Sequence, residues 1–161
     1  MKIIGLIGKS NSGKTSALKY LMLKILEQKG VEVLYSSRHP GTTPAELSKT
    51  IIHNWVTPKG NVCNLTIAVK YKDKIVGITS FGDSLKYEIL PALEKIIDKC
   101  GGCDIFVCGR HERNNLDEEF KDYSPIETEK IIKKYTNNSN DYDTCNKQAA
   151  SEIFSRVYKN L

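Results

Sequence analysis

The string GKSNSGKT occupies residues 8–15 and fits G-x-x-x-x-G-K-[ST]. Gly8 and Gly13 permit backbone angles closed to most residues, so successive N–H groups can turn inward around an anion. Ser10, Asn11 and Ser12 are small and polar, which lets the loop wrap closely. The ligand such a loop takes is a phosphate chain, surrounded by the amides of Asn11 to Thr15 and the N-terminus of the helix that follows. Lys14 is expected to reach the β- and γ-phosphates, and the Thr15 hydroxyl to bind Mg²⁺. Gly8 and Ser16 complete the expected phosphate-binding set. A held phosphoryl group then has three destinations: water, a second substrate, or nowhere.

A second acid should complete a Mg²⁺ site, at the carboxyl end of a strand beside the first. Asp83, closing KIVGITSFGD, fits; it also fits as the N-cap of the helix that follows, with Ser84 as a rival cap. Asp104 starts its strand and belongs at the opposite edge of the sheet. Two Arg-His dipeptides end strands, in SSRHPG and CGRHER. Ligands of open parallel sheets bind beyond the carboxyl ends of strands. Arg38 and Arg110 are therefore expected to face a transferred phosphoryl group or an acceptor phosphate, with Arg113 as a further candidate. His39 and His111 can position water or a substrate, or serve only as loop residues, and His53, near Trp55, reads as structural.

Cys100-Gly101-Gly102-Cys103, with Cys108 and His111, suggests a zinc site. A strand over 104–108 argues against it, since it sets Cys103 and Cys108 about 16 Å apart. The motif also follows a helix, whereas thiols activated by a helix N-terminus precede one. The two glycines are explained by a helix stop.

These residues need elements to position them. Ile3–Ile7 is a short apolar run, a buried strand leading straight into the loop. Leu18, Leu21, Met22, Ile25 and Leu26 have helical spacing, and Gly30 is expected to end that helix. Val31–Ser36 is a second strand, giving a strand–helix–strand unit with both strands running the same way. Thr43, Pro44 and Glu46 form a capping signature that predicts a helix over 44–52. Val62–Tyr71 and Lys74–Phe81 read as a hairpin turning at Lys72-Asp73. A helix over 85–99 should kink or start late at Pro91. Residues 104–108 form a buried strand, and Asn137–Asp143 a loop. Ser124–Glu127 repeats the capping signature, but 126–136 suits either a helix or a last strand. The final helix carries Ala149, Ala150, Ile153, Phe154, Val157, Tyr158 and Leu161 as a stripe expected to face the sheet.

With the loop and its flanking strand and helix in view, the chain resembles the P-loop NTPase superfamily. The resemblance rests on about the first quarter of the chain. It implies a three-layer α/β sandwich, mainly parallel with one antiparallel hairpin, that binds a nucleoside triphosphate with Mg²⁺. SNSGKT followed by a helix and a strand is similar to the molybdenum-cofactor adaptor proteins that bind a guanine nucleotide, and the loop also resembles that of small nucleotide kinases. Guanine-binding members carry Asn-Lys-x-Asp. Here Asn146-Lys147-Gln148-Ala149 lacks that aspartate, so ATP is the expected ligand.

With 161 residues the chain fits one domain spanning 1–161. The net charge is +5, but the lysines are scattered among carboxylates and no aromatic-basic stripe marks nucleic-acid binding. No apolar run approaches the roughly 18 residues of a membrane span, and the N-terminus reads as a strand rather than a signal peptide. A cytoplasmic protein with five reduced thiols is expected. Three activities follow: ATP hydrolysis coupled to a protein partner, a small kinase acting on a nucleotide-like or other small acceptor, and a binding module with little turnover.

Overall fold

The computed structural model describes residues 1–56, 63–82 and 84–161. Two sequence expectations, the start of the third strand at Val62 and the acid Asp83, lie outside them. The chain forms six strands: β1 (Lys2–Ile7), β2 (Glu32–Ser36), β3 (Thr66–Tyr71), β4 (Lys74–Thr79), β5 (Ile105–Arg110) and β6 (Glu127–Ile132). They lie in one sheet in the order β2-β3-β4-β5-β1-β6. β1 pairs in parallel with β5 and β6, and β5 in parallel with β4; β3 runs antiparallel to both neighbours. Five strands therefore share one direction.

The helices are α1 (Lys14–Leu26), α2 (Lys49–Val56), α3 (Leu90–Cys100), α4 (Leu116–Glu119) and α5 (Tyr142–Lys159). β1 is apolar on both sides because it is covered on both sides. Ile4 and Leu6 join the core beneath α1, α2 and α5, whereas Ile3 and Ile7 join the core beneath α3 and α4. Among the described residues no helix is long and apolar enough to cross a membrane.

β1 and β2 run the same way, as the strand–helix–strand order implies, but β5, β4 and β3 stand between them. The hairpin forms as expected, with Lys72 (φ 50°) and Asp73 (φ 61°) both left-handed in its two-residue turn. Pro91 lies in the first turn of α3, where its missing N–H costs nothing, and a wider turn over Leu85–Ile89 precedes it. Ser84 is the cap, its side chain accepting from Tyr87 N, while Glu88 accepts from Ser84 N at 2.9 Å. Gly101 (φ 77°) stops α3.

Several expectations are corrected. The capping signature at Thr43 closes only one turn: Glu46 accepts from Thr43 N (3.1 Å) and Oγ1 (2.7 Å). The helix begins afresh at Lys49, capped by Ser48, because the buried i,i+4 pair is Ile52 and Val56. Segment 127–132, which the sequence leaves open between helix and strand, is a strand, held in register by Lys2, which pairs with Glu127 (2.9 Å) and Glu129 (3.0 Å). Ile131 is buried while Ile132 is 68% exposed, a strand's alternation. α1 ends at Leu26, four residues before Gly30, which serves the turn into β2. α5 starts at Tyr142, inside the expected loop. Tyr158 leaves its apolar stripe, exposed with Lys72 Nζ 3.7 Å from its ring centroid.

Candidate functional site

β1, the most apolar strand, delivers the loop at its carboxyl end. Gly8 N continues the sheet pairing onto Arg110 O (3.1 Å), and the chain then turns through Asn11 (φ 57°) and Gly13 (φ 80°) into α1. These left-handed residues turn the loop back on itself, with Ser12 N donating to Lys9 O. Space is also tight. A β-carbon on Gly8 would lie 2.8 Å from Ser12 Oγ, and one on Gly13 would lie 2.5 Å from Asn146 Oδ1. Lys14 opens α1 and folds back over the loop, Nζ donating to Gly8 O (2.9 Å) and Lys9 O (2.6 Å). Gly13 gives α1 no side-chain cap, and the first turn holds no carboxylate. The helix N-terminus therefore keeps its positive end toward the loop. Ser12 Oγ is buried without a hydrogen-bond partner among the described residues.

The loop forms one wall of a cleft of about 650 Å³, lined by Ser10 to Thr15, Asn64, Ser80, Gly82, Gly109 and His111. A cleft of this size lies within the range of small-molecule sites. Thr15 Oγ1 donates to Ser80 O (3.3 Å), tying the start of α1 to the end of β4. Ser80 is itself fixed, exchanging hydrogen bonds with the Leu65 backbone. On the other side of the loop, Asn11, Ser12, Gly13 and Ser16 border a smaller hollow of about 350 Å³, closed by Tyr20, Tyr142, Asp143 and Asn146. The Tyr20 hydroxyl hydrogen-bonds the Asp143 carboxylate.

The two arginines differ. Arg38 does stand at the carboxyl end of β2, exposed, with Nη2 donating to Asn64 O (2.9 Å) and its guanidinium 5.6 Å from the Trp55 ring centroid. Arg110 does not face the cleft as expected. Its Nε and Nη2 grip Glu119 at 2.9 and 2.5 Å, Nη1 reaches Gly82 O at 3.4 Å, and both side chains are buried. Its fork is spent on holding the segment after β5 against the end of β4. Asn114 joins the cluster, donating to Glu119 Oε1 (2.7 Å) and accepting from His111 N (3.1 Å). That network delivers His111 to the cleft, where it can position water or a substrate. Its Nδ1 accepts from Arg113 N (3.4 Å), so the neutral ring carries its proton on Nε2. Arg113 is exposed and supplies only that backbone contact among those described. His39 is 3.3 Å from Ser36 Oγ through Nδ1 and edge-on to Trp55, and His53 is exposed on α2.

β1 is flanked by β5 and β6, so the strand that precedes Asp83 is not its neighbour. The end of β4 still reaches the loop, through Ser80 and Gly82 in the cleft wall. Asp104 lies at the opposite edge, as expected, accepting from Ile75 N (2.8 Å). Burial pushes the Cys103 and Cys108 thiols up to about 12. Among the described residues no three His, Cys, Asp or Glu side chains gather to hold a metal ion.

Two buried lysines were not anticipated. Lys19, 2% exposed, runs from α1 to Trp55 O (3.4 Å) at the end of α2. Lys133 follows β6, its Cβ 3.4 Å from where a β-carbon on Gly8 would stand. Burial lowers the pKa of both. In the sequence Asn146 belongs to the incomplete base motif Asn146-Lys147-Gln148-Ala149. Its helical register with Ala149, Ala150, Ile153 and Val157 puts it on the buried stripe, against the loop. Comparison with protein-family models, curated proteins and solved structures finds no match.

Proposed function

We propose that the chain is a P-loop nucleotide-binding protein that takes ATP with Mg²⁺ and hydrolyses it in a cycle coupled to a protein partner. The observation that carries this reading is the geometry of residues 8–15. Left-handed turns at Asn11 and Gly13, an uncapped α1 N-terminus and Lys14 folded over the loop surround one small volume with donors and positive potential. An anion of several charges is the ligand such a volume favours. The orphaned Ser12 hydroxyl supports the same fit, since a phosphate oxygen would satisfy it.

In this reading the amides of Asn11 to Thr15, with Gly8 and Ser16 at the ends, hold the β- and γ-phosphates. Lys14 exchanges the Gly8 and Lys9 carbonyls for phosphate oxygens. Thr15 turns its hydroxyl from Ser80 O to the metal, with Asp83 as the second acid. Mg²⁺, when bound, neutralises charge on the β- and γ-oxygens. His111, donating from Nε2, replaces Arg110 as the group in the cleft that meets the γ-phosphate. The nucleoside leaves past Ser16 into the hollow bordered by Tyr20, Tyr142 and Asn146.

Phosphorus NMR of ATP and Mg²⁺ with the protein tests the proposal. ADP and free phosphate without any acceptor are expected. ADP that forms only with a pool of nucleoside monophosphates and other small acceptors, alongside a new phosphoryl signal, makes the chain a kinase instead. The exposed Arg38, hydrogen-bonded to the Asn64 that lines the cleft, favours that second reading.

A further inference from the structure

The phosphate loop accounts for one end of the cleft. The other end is equally organised. Asn64 lines the cleft together with the loop, and its carbonyl holds Arg38. Among the described residues this is the one hydrogen bond the Arg38 side chain makes, and no carboxylate pairs with it. A guanidinium carries five N–H donors in a rigid plane, so most of its donor edge takes no acceptor among the described residues.

The plane is held in place. It lies over the indole of Trp55, and His39 packs edge-on to the same ring with centroids 6.0 Å apart. Trp55 is anchored from below by Lys19, which crosses from α1 to the Trp55 carbonyl, where a cation offsets the negative end of α2. Two cations therefore stand in one corner, one buried and one exposed. A rigid fork beside a second positive charge suits a phosphate dianion bound bidentately.

We infer that the Arg38–Trp55 corner is a subsite for a second small ligand bearing a phosphomonoester, bound across the cleft from the phosphate loop. The inference goes beyond the proposed function and rests on it only in assigning the loop to the nucleotide. The phosphomonoester lies on the Arg38 fork, and the rest of the molecule points along the cleft toward Ser80 and the loop.

Trp55 is the single tryptophan of the chain, so its fluorescence reports on this corner. The loop is first saturated with Mg²⁺ and AMP-PNP. Nucleoside monophosphates and glycerol phosphate are then titrated, with acetate as the monoanion control. A saturable change with at least one phosphomonoester is expected, and none with acetate. Arg38→Gln should weaken that ligand at least about tenfold, the effect of losing a charge-assisted pair. Arg38 is exposed, so the variant should keep the wild-type circular dichroism. Lys14→Ala, titrated without AMP-PNP, should keep the response. No saturable change, an equal response to acetate, or an unchanged response in Arg38→Gln each overturns the assignment. Loss of the response in Lys14→Ala does so too, because the probe was then on the loop. Failure of AMP-PNP to bind the wild-type chain would fell the nucleotide reading alone, provided the wild-type and Arg38→Gln titrations, repeated without AMP-PNP, still differ.

Discussion

Asn146, on the buried stripe of α5, presses its side-chain amide against Gly13, leaving 2.5 Å between its Oδ1 and any β-carbon placed there. Gly13→Ala therefore meets two obstacles, a left-handed φ of 80° and this contact. The expected loss is roughly 1–3 kcal/mol of stability, together with nucleotide affinity. Asn146→Ala removes the contact but not the backbone strain. Combined with Gly13→Ala it should recover part of the lost stability in urea unfolding, and a strictly additive double variant would show that the contact carries no strain.

Lys14 is half-buried at the surface of the loop, and its Nζ rests on loop carbonyls. Lys14→Ala should reduce ATP affinity at least about tenfold, as expected for a charge-assisted interaction, with an unchanged urea midpoint. Calorimetric titration gives the affinity. Wild-type turnover in this variant would falsify the phosphate-loop assignment.

What sequence reveals here follows from the range of the interactions. The loop, the β1 run, the Lys72-Asp73 hairpin and the Gly101 stop are local: their residues carry the needed angles or periods themselves. Elements decided by distant partners were less legible. Residues 127–132 become a strand because β1 offers them an edge and Lys2 pairs with Glu127 and Glu129. The Thr43 signature yields one turn because the core takes Ile52 and Val56. Arg110 reads as a site residue from its strand end alone, and nothing local announces that Glu119, nine residues on, occupies its fork. The carboxyl-end rule puts Arg38, Arg110 and His111 at the correct edge of the sheet but says nothing of where each side chain is spent.

The Arg110–Glu119 pair is buried, with side-chain exposures of 6% and 11%. Arg110→Ala strands the Glu119 carboxylate and should cost about 3–5 kcal/mol in urea unfolding. Arg110→Met with Glu119→Leu, which removes both charges, should cost much less. The same double variant separates structure from chemistry. Turnover retained at temperatures where it is folded assigns Arg110 to bracing the segments after β4 and β5; turnover lost with stability kept would return it to the transferred phosphate.

Asp83 stands on the sequence alone, and the cap of the following turn is already supplied by Ser84. Asp83→Asn is therefore expected to leave stability within about 0.5 kcal/mol. Mg²⁺-dependent turnover should fall at least about tenfold, with a higher Mg²⁺ concentration needed for half-activity. Intact turnover with a stability loss near 1 kcal/mol, the usual cost of a missing cap, would make Asp83 a structural residue.

The buried thiols predict an alkaline limit to stability. Burial raises Cys103 and Cys108 from an ordinary value near 9 to about 12 in the folded chain. Between those values the folded state keeps protons that the unfolded state gives up, so stability falls as pH rises. The contribution is whole below about pH 9 and is lost progressively toward pH 12. Lys19 and Lys133 act in the opposite sense, because burial lowers them and the folded state there binds fewer protons. Comparing Cys103→Ala and Cys108→Ala with the parent chain cancels the lysines. Urea midpoints measured from pH 8 to 10.5 should fall more slowly in each variant than in the parent. Parallel curves would mean that these thiols ionise in the folded chain as they do in the unfolded one.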